Sequence, residues 1–234
     1  MTGRDGTVAC LRLQNLCTGA DDMERQKQDV AKLAYASDPA RIRPDQRARY
    51  EHYLSEILGA LGLPLDRDGT RGTPARLLQA WIDATSGYEP DPKLVTVFPI
   101  DDLRENGGDY AQVVEGPIPF TALCEHHVLP FFGRAWIGYV ASDRVIGLSK
   151  LTRLLRQYSR RFTMQERIGS EVARALHTIV GARGTAVRIE AAHLCTRMRG
   201  VREADTFTST TAWRGHYEAS ESLRREFFEL CRGS

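Results

Sequence analysis

The stretch TAVRIEAAHLC, residues 185 to 195, constrains the fold more than any other part of the chain. Its apolar side chains alternate with an arginine and a glutamate, and this period of two is typical of a strand with one buried face. The apolar row consists of Val187, Ile189 and Ala191. Because a strand needs partners, the chain must form a sheet, and the same period places His193 and Cys195 on the buried face of that sheet.

Other strands are predicted before this one, where short β-branched and aromatic runs are interrupted by glycine and proline. They are residues 110–120, 133–142 and 143–149, with ASDR at 141–144 as a hairpin loop. Helices are predicted from Lys150 to about Phe162 and from Gln165 to Val180, and Gly181 and Gly184 end the second of them. The apolar stripe of that second helix is Ile168, Val172, Ala175, Leu176 and Ile179.

The first half of the chain is predicted to be helical after a polar start. Residues 1–44 lack periodic apolar positions and are interpreted as a loosely ordered extension. A pair of helices follows, one from Arg47 to Leu63 and one with Thr73 as N-cap, Pro74 in its first turn and Gly87 at its end. The domain therefore covers residues 45–234, with a helical part (45–98) and a sheet-forming part (99–234), and its class is α+β.

Composition excludes several functional classes. With 42% apolar and 26% charged residues and a net charge of +2, the pattern is that of a globular domain and not of a general nucleic-acid binder. Neither a signal peptide nor a membrane span is expected. The five cysteines, an odd number, favour free thiols in a reducing compartment, so we expect a cytoplasmic protein without a membrane partner.

The segment CEHHVLPF, residues 124 to 131, predicts a metal site. Cys124 and His127 are three residues apart, and Cys195 is expected to arrive from a neighbouring strand. Two thiolates and one imidazole suit zinc, and three protein ligands leave a fourth position for water, as in catalytic sites. The alternative for the segment taken alone is a buried cysteine beside a structural histidine.

Two more histidines and a glutamate adjoin these candidate ligands. His126 and His193 are candidates for proton transfer because imidazole titrates near neutral pH, although either could instead orient a ligand or fill the core. Glu125 is interpreted as a solvated side chain rather than as a partner of the site.

Four motifs, in order and spacing, resemble the signature segments of the GTP cyclohydrolase I family. They are CEHHVLPFFG at 124–133, VIGLSKLTRL at 145–154, RRFTMQER at 160–167 and IEAAHLCTRMRGV at 189–201. The resemblance extends from about Asp45 to Leu230. It implies the tunnelling fold (T-fold), in which an antiparallel sheet carries helices on one face and subunits join into a ring, commonly a decamer of two stacked pentamers with active sites at subunit boundaries.

The resemblance also implies roles for individual residues. It makes Cys124, His127 and Cys195 the zinc ligands and gives proton transfer to His126 and His193. It assigns guanine recognition to Gln165 and Glu166, and triphosphate binding to Ser149, Lys150, Arg153, Arg199 and, from an adjacent subunit, Arg76. Taken alone, a glutamate in the first turn of a helix or a basic helix face is more often a solvated feature.

The implied reaction is hydrolysis of GTP at C8, with opening of the imidazole ring, release of formate and rearrangement to 7,8-dihydroneopterin triphosphate, the first step towards folates, other pterins or deazapurines. Four features depart from the family pattern. Gln79 stands where a lysine is common and Gly72 where an acidic or polar residue is usual, Arg197 adds charge near the zinc strand, and Trp213 with Arg214 is unusual in the tail.

Two other functions stay open at this point. The chain could act on a related purine nucleotide or stop at the ring-opened product, which the loss of the lysine at Gln79 would permit. It could also be a non-catalytic, zinc-containing ring protein that binds nucleotide. The presence of both His126 and His193 speaks against the second possibility, because a structural zinc site needs neither. A nitrile reductase of the same fold is a weaker rival, since it would not call for the zinc ligands together with two more histidines.

Overall fold

The computed structural model of the protein describes residues 42–89, 91–95, 97–100 and 112–233. The predicted N-terminal extension lies outside this part of the chain as far as residue 41, as do Cys10 and Cys17. Among the described residues, no helix is both long and apolar enough to cross a membrane.

Two helices that contact each other open the described chain, as predicted. Helix α1 spans Pro44–Ala60 and helix α2 spans Thr73–Ala84. The first begins three residues before the predicted start, because Pro44 lies in the first turn, where its missing N–H has no carbonyl to bond. It also ends before the predicted Leu63, since Gly62 adopts a positive φ of 93°.

The predicted ends of α2 are wrong at both termini. Thr73 is the first helical residue and Gly72 is the N-cap, because the Gly72 carbonyl accepts the first helical hydrogen bond, from the Arg76 N–H at 3.1 Å. The Thr73 hydroxyl instead accepts a hydrogen bond of 3.0 Å from the Arg76 side chain. Gly87 lies beyond the helix in the short 3₁₀ turn Ser86–Tyr88. A side chain at this position would lie 2.6 Å from the carbonyl oxygen of Gln157, so close backbone contact, not helix termination, requires the glycine.

Seven strands form two sheets within the described ranges. Their bounds are β1 Val97–Pro99, β2 Gln112–Cys124, β3 Pro130–Val140, β4 Arg144–Ile146, β5 Phe162–Thr163, β6 Gly184–His193 and β7 Thr208–Gly215. The larger sheet has the order β5-β2-β3-β6-β7 and is antiparallel except for the short parallel β2–β5 pair. Strands β1 and β4 pair separately.

The predicted hairpin at residues 141–144 is therefore wrong. Strand β3 is already paired along its length with β2 on one side and β6 on the other, so no edge of β3 is open to β4. The chain instead leaves the sheet after Val140, and β4 pairs with β1. The Ser142 hydroxyl fixes this departure by donating a hydrogen bond of 2.8 Å to the carbonyl of Gly181.

The remaining helices follow or precede sheet strands. They are α3 Leu148–Ser159, α4 Gln165–Val180, the single turn α5 Leu194–Arg197, α6 His216–Ala219 and α7 Glu221–Arg232. Helix α4 has the predicted bounds, and Gly181 ends it with a positive φ of 67°. Helix α3 ends before the predicted Phe162, which belongs to β5, and Gly184 begins β6 instead of ending α4.

Helices cover both faces of the larger sheet. Helices α3 and α4 pack on the face that carries Ile137, Val187 and Ile189, all fully buried. Helix α7 packs on the opposite face, where Phe227 meets Trp213 edge to face at 5.6 Å. The expectation of helices on one face is thus incomplete, because the aromatic residues of the C-terminal segment need an apolar surface of their own.

Candidate metal centre and active site

Three potential metal ligands meet at one end of the sheet. Cys124 ends β2, His127 lies in the turn before β3, and Cys195 follows β6. One ligand atom of each lies within 4.8 Å of the other two. The register of the sheet brings them together, because the first residues of β3 pair with the last residues of both β2 and β6.

Cys195 reaches the cluster by a different route from the one predicted. Strand β6 ends at His193, and Cys195 lies in the helical turn α5. The period of two therefore stops before Cys195, and the change of backbone direction, together with a hydrogen bond of 3.0 Å from the Thr196 hydroxyl to the His193 carbonyl, aims the thiol. Strand alternation alone would not have predicted this geometry.

The donor set of the cluster fits a zinc ion. Cys124 is buried, Cys195 is half-buried and His127 is exposed. Burial raises the pKa of the Cys195 thiol, and the neighbouring Cys124 raises it further, whereas Arg199 lowers it. The Cys195 thiol thus resists ionisation, and a divalent cation removes this penalty because a thiolate binds it directly.

His193 is held on three sides. Its ring stacks on Phe131 with 4.6 Å between centroids and 4° between planes. Its Nε2 lies 2.8 Å from Oε1 of Gln165, and its Nδ1 lies 4.0 Å from Sγ of Cys195. Burial lowers the pKa of His193 although Glu166 opposes the shift, so the neutral imidazole is favoured at neutral pH.

The Gln165 carboxamide is fully engaged within the protein. Its nitrogen lies within hydrogen-bonding distance of three acceptors, the carbonyls of Ile189 (3.1 Å) and Thr208 (2.9 Å) and the hydroxyl of Thr210 (3.1 Å). Its oxygen faces His193. The family resemblance assigns Gln165 to guanine recognition, which stays a prediction; in the structure this buried side chain contacts His193.

The other two residues assigned to catalysis and guanine are exposed. His126 Nδ1 lies 3.6 Å from Sγ of Cys124, and its ring meets that of His127 edge to face. Glu166 lies in the first turn of α4 and lines a cleft of about 580 Å³ between α4 and β7. Within the described residues, both side chains are open to solvent.

The candidate phosphate ligands lie mainly at the start of α3. Ser149 and Lys150 occupy its first turn, and Arg153 follows one turn later. Arg153 Nη1 donates a hydrogen bond of 2.9 Å to Oδ2 of Asp91. Burial alone would raise the pKa of Asp91, but hydrogen bonds from the Lys93 backbone and from Arg153 outweigh burial and lower it.

Two more predicted cations lie elsewhere. Arg199 is exposed after α5, near enough to Cys195 to affect its pKa. Arg76 lies on α2, where its guanidinium donates to the Gly69 carbonyl at 2.7 Å. Gln79, also on α2, donates to Asp83 at 2.8 Å. The described chain thus does not gather all the predicted phosphate ligands on one element.

Sequence reasoning missed the role of Glu125. Its carboxylate forms a two-point ion pair with Arg167 of α4, in which Nη1 bonds Oε2 and Nη2 lies 3.1 Å from Oε1. Both side chains are partly buried. The signal was present in the sequence, as an acidic residue between candidate ligands and an arginine next to Glu166, but the partners are 42 positions apart.

The family model and the similar proteins found by comparison agree on one family. The sequence model of the family GTP cyclohydrolase I matches residues 50–232. GTP cyclohydrolase 1 of Campylobacter lari is 40% identical over 182 residues, which are 78% of this chain and 94% of the relative. GTP cyclohydrolase 1 of Deinococcus radiodurans is 38% identical over 191 residues, 82% of this chain and 87% of the relative.

A solved structure was also found. It is the apo form of the archaeosine synthase QueF-Like, which matches 46% of this chain and 95% of that chain with a TM-score of 0.35 and 10% identity. A likeness at this level supports no conclusion about function.

Proposed function

Because the chain belongs to the GTP cyclohydrolase I family and is a hydrolase of that type acting on GTP, we propose that the cluster of Cys124, His127 and Cys195 holds the zinc ion of the reaction. The observation that carries this proposal is the convergence of the three ligand atoms within 4.8 Å. When bound, zinc supplies a Lewis acid that activates water near neutral pH. Three protein ligands leave a position open for that chemistry.

His193 is the proposed proton acceptor. Since the Gln165 nitrogen is surrounded by acceptors, the Gln165 oxygen must face His193, and an amide oxygen only accepts. His193 therefore carries its proton on Nε2 and presents a basic Nδ1 towards Cys195. The lowered pKa of His193 keeps this nitrogen free to take a proton from the attacking water.

His126 is the proposed second proton carrier. Its exposure lets it exchange protons with solvent, and its position beside Cys124 keeps it next to the metal ligands. The two histidines thus differ in environment, one held by the core and one open. This difference suits a reaction that first takes a proton and then returns protons during ring opening, sugar rearrangement and ring closure.

Glu166 is proposed to recognise guanine, because a carboxylate accepts two parallel N–H groups from the guanine edge. Its exposed place between α4 and the edge strand β7 is also where a neighbouring subunit would pair. We propose a ring of identical subunits, a decamer of two pentamers, in which the edge strands β5 and β7 of the larger sheet meet those of adjacent copies. The tunnelling fold is part of this proposal.

The triphosphate is proposed to bind Ser149 and Lys150 at the N-terminal turn of α3, together with Arg153 and Arg199. Backbone N–H groups at the start of α3 favour an anion. Asp91 fixes the Arg153 guanidinium through one N–H group, and the other N–H groups of Arg153 are proposed to bind phosphate. Arg76 is proposed to act from an adjacent subunit. The product, 7,8-dihydroneopterin triphosphate, would feed folate, pterin or deazapurine synthesis in the cytoplasm, where the thiols of Cys124 and Cys195 stay reduced.

The test is to incubate the zinc-loaded protein with GTP while following formate release and the fluorescence of the oxidised pterin in one sample. Formate and pterin in equal amounts are the expected result. Formate alone would replace the proposal with an enzyme that stops at the ring-opened product. The absence of both formate and pterin would overturn the proposal in favour of another nucleotide substrate or a binding protein.

A further inference from the structure

The turn that carries the ligand His127 is exposed and locally strained. His126, His127 and Val128 are all exposed, and Val128 has a φ of 57°. This left-handed conformation is unfavourable for a β-branched residue. Burial of apolar side chains therefore does not explain how the turn keeps His127 aimed at Cys124 and Cys195.

Backbone hydrogen bonds secure only the base of the turn. The N–H of Val128 donates to the Cys124 carbonyl at 2.8 Å, and the N–H of Cys124 donates to the Leu129 carbonyl at 2.9 Å. The N–H of Glu125 donates to Thr163 of β5 at 3.1 Å. These bonds close the loop and join Glu125 to β5, which ends two residues before α4. None of them is made to α4 itself, so the direction of the turn relative to that helix depends on side chains.

The ion pair between Glu125 and Arg167 supplies that direction. Both carboxylate oxygens face both terminal guanidinium nitrogens, and a two-point contact of this kind fixes orientation as well as distance. The side chains are 27% and 35% exposed, so solvent screens the pair less than it screens a pair on the open surface. The pair therefore locks the turn against α4.

The other end of the pair lies among residues of the proposed reaction. Arg167 is the third residue of α4, after Gln165, which holds His193, and Glu166, the proposed guanine ligand. The first turn of α4 thus holds residues for three parts of the proposed site: the metal-ligand turn, the proton acceptor His193 and the guanine base. A shift of the 124–129 turn relative to this helix would change all three geometries together.

We infer that Glu125 and Arg167 are positioning residues that hold the metal-ligand turn in register with the first turn of α4. The inference rests on the proposed zinc site. Neither residue is assigned contact with substrate; each acts through the turn or helix that it fixes. Partners of this kind around metal ligands commonly change metal affinity or activity by about 10- to 100-fold.

The test measures zinc dissociation from the full chain by competition with a chromophoric chelator. The single variants are Glu125→Gln, Arg167→Gln and Arg167→Lys. The double variant is Glu125→Gln/Arg167→Gln. Each single variant is expected to weaken zinc binding about tenfold or more, and the double variant to bind zinc no more weakly than the worse single variant, because the pair is lost only once.

The matched control is Glu51→Gln, which removes an ion pair of similar exposure with Arg47 on α1. It should leave zinc affinity unchanged. The Tm of the metal-free variants separates positioning from general damage, because loss of positioning lowers zinc affinity without lowering that Tm. If Glu125→Gln fails to fold, the test uses Arg167→Lys, because lysine keeps the positive charge but cannot form the two-point contact with the carboxylate.

Two results would overturn the inference: single variants that bind zinc as tightly as the wild type, or losses that add in the double variant. A fall in metal-free Tm large enough to explain the weaker binding would also count against it. Failure of the wild type itself to bind zinc would instead refute the metal centre under the proposed function, so the two failures are distinguishable.

Discussion

The metal end and the phosphate end of the proposed active site are built in different ways. The proposed metal ligands meet at one end of the three central strands of a five-stranded sheet, and His193 beside them is held by Phe131 and Gln165. The phosphate ligands lie on the first turns of α3, on an exposed segment after α5 and on α2. Cys124 and His193 are thus held by the core of the subunit, whereas the proposed recognition residues lie on separate, more exposed elements.

This contrast predicts how substitutions at the two ends should differ. Changes within the sheet end would disturb several packed partners at once. Changes such as Gln79 on α2 affect one exposed contact, its hydrogen bond with Asp83. We therefore expect substitutions at the metal end to abolish activity, and substitutions at the phosphate end to change the apparent affinity for GTP.

The largest effect is expected for Cys195→Ala. Removing one thiolate leaves one cysteine and one exposed histidine, so bound zinc and formate release should be lost together. Cys231→Ala is the control, because Cys231 is a buried thiol on the opposite face of the sheet, and it should retain zinc. A Cys195→Ala protein with a full complement of zinc would show that the metal end is not the cluster described.

The next effect is expected for His126→Ala. Zinc should stay bound, because His126 is not among the three converging ligands, while kcat should fall by about 10²–10⁴ as for loss of a general acid–base group. Metal analysis and single-turnover kinetics on one preparation separate the two. Near-normal turnover would remove His126 from the mechanism, and His52→Ala on α1 serves as the exposed-histidine control.

A smaller effect, confined to affinity, is expected at the phosphate end for Asp91→Ala. Without its partner, Arg153 loses its fixed orientation, and the KM for GTP should rise roughly fivefold, equivalent to about 1 kcal/mol for a partly exposed ion pair. The kcat should change little. Glu221→Ala, which breaks an exposed pair with Arg225 on α7, should leave both constants unchanged; a fall in kcat for Asp91→Ala would break the division between the two ends.

The smallest effect is expected for Gln79→Lys. The new ammonium should lower the KM for GTP by less than about threefold, because Asp83 one turn away attracts it. Adding Asp83→Asn should enlarge the decrease. Unchanged KM in both variants would mean that this part of α2 does not reach the triphosphate.

The sequence predicted the elements whose signals are local. Helix α4 has the predicted bounds because its apolar stripe has a helical period and Gly181 supplies a left-handed end. The apolar row of β6 is buried as expected. The three metal-ligand candidates were also found, because cysteine and histidine are few in this chain.

The remaining features depend on partners distant in sequence. The prediction of a hairpin at 141–144 was wrong because β2 and β6 already flank β3. Burial on the second face of the sheet depends on Trp213 meeting Phe227, and the engagement of Gln165 depends on carbonyls of β6 and β7. Glu125 was taken for a solvated side chain because nothing near it in the sequence reveals Arg167.

The measurement that tests the central claim most directly is X-ray absorption at the zinc edge of the full-length protein. The account predicts one zinc per subunit with two sulfur ligands at about 2.3 Å and nitrogen or oxygen ligands at about 2.0–2.2 Å. Loss of the zinc signal in Cys195→Ala, with the signal kept in Cys231→Ala, would assign one of the sulfur ligands to Cys195. A zinc shell without sulfur, or with four sulfur ligands, would contradict the proposed centre.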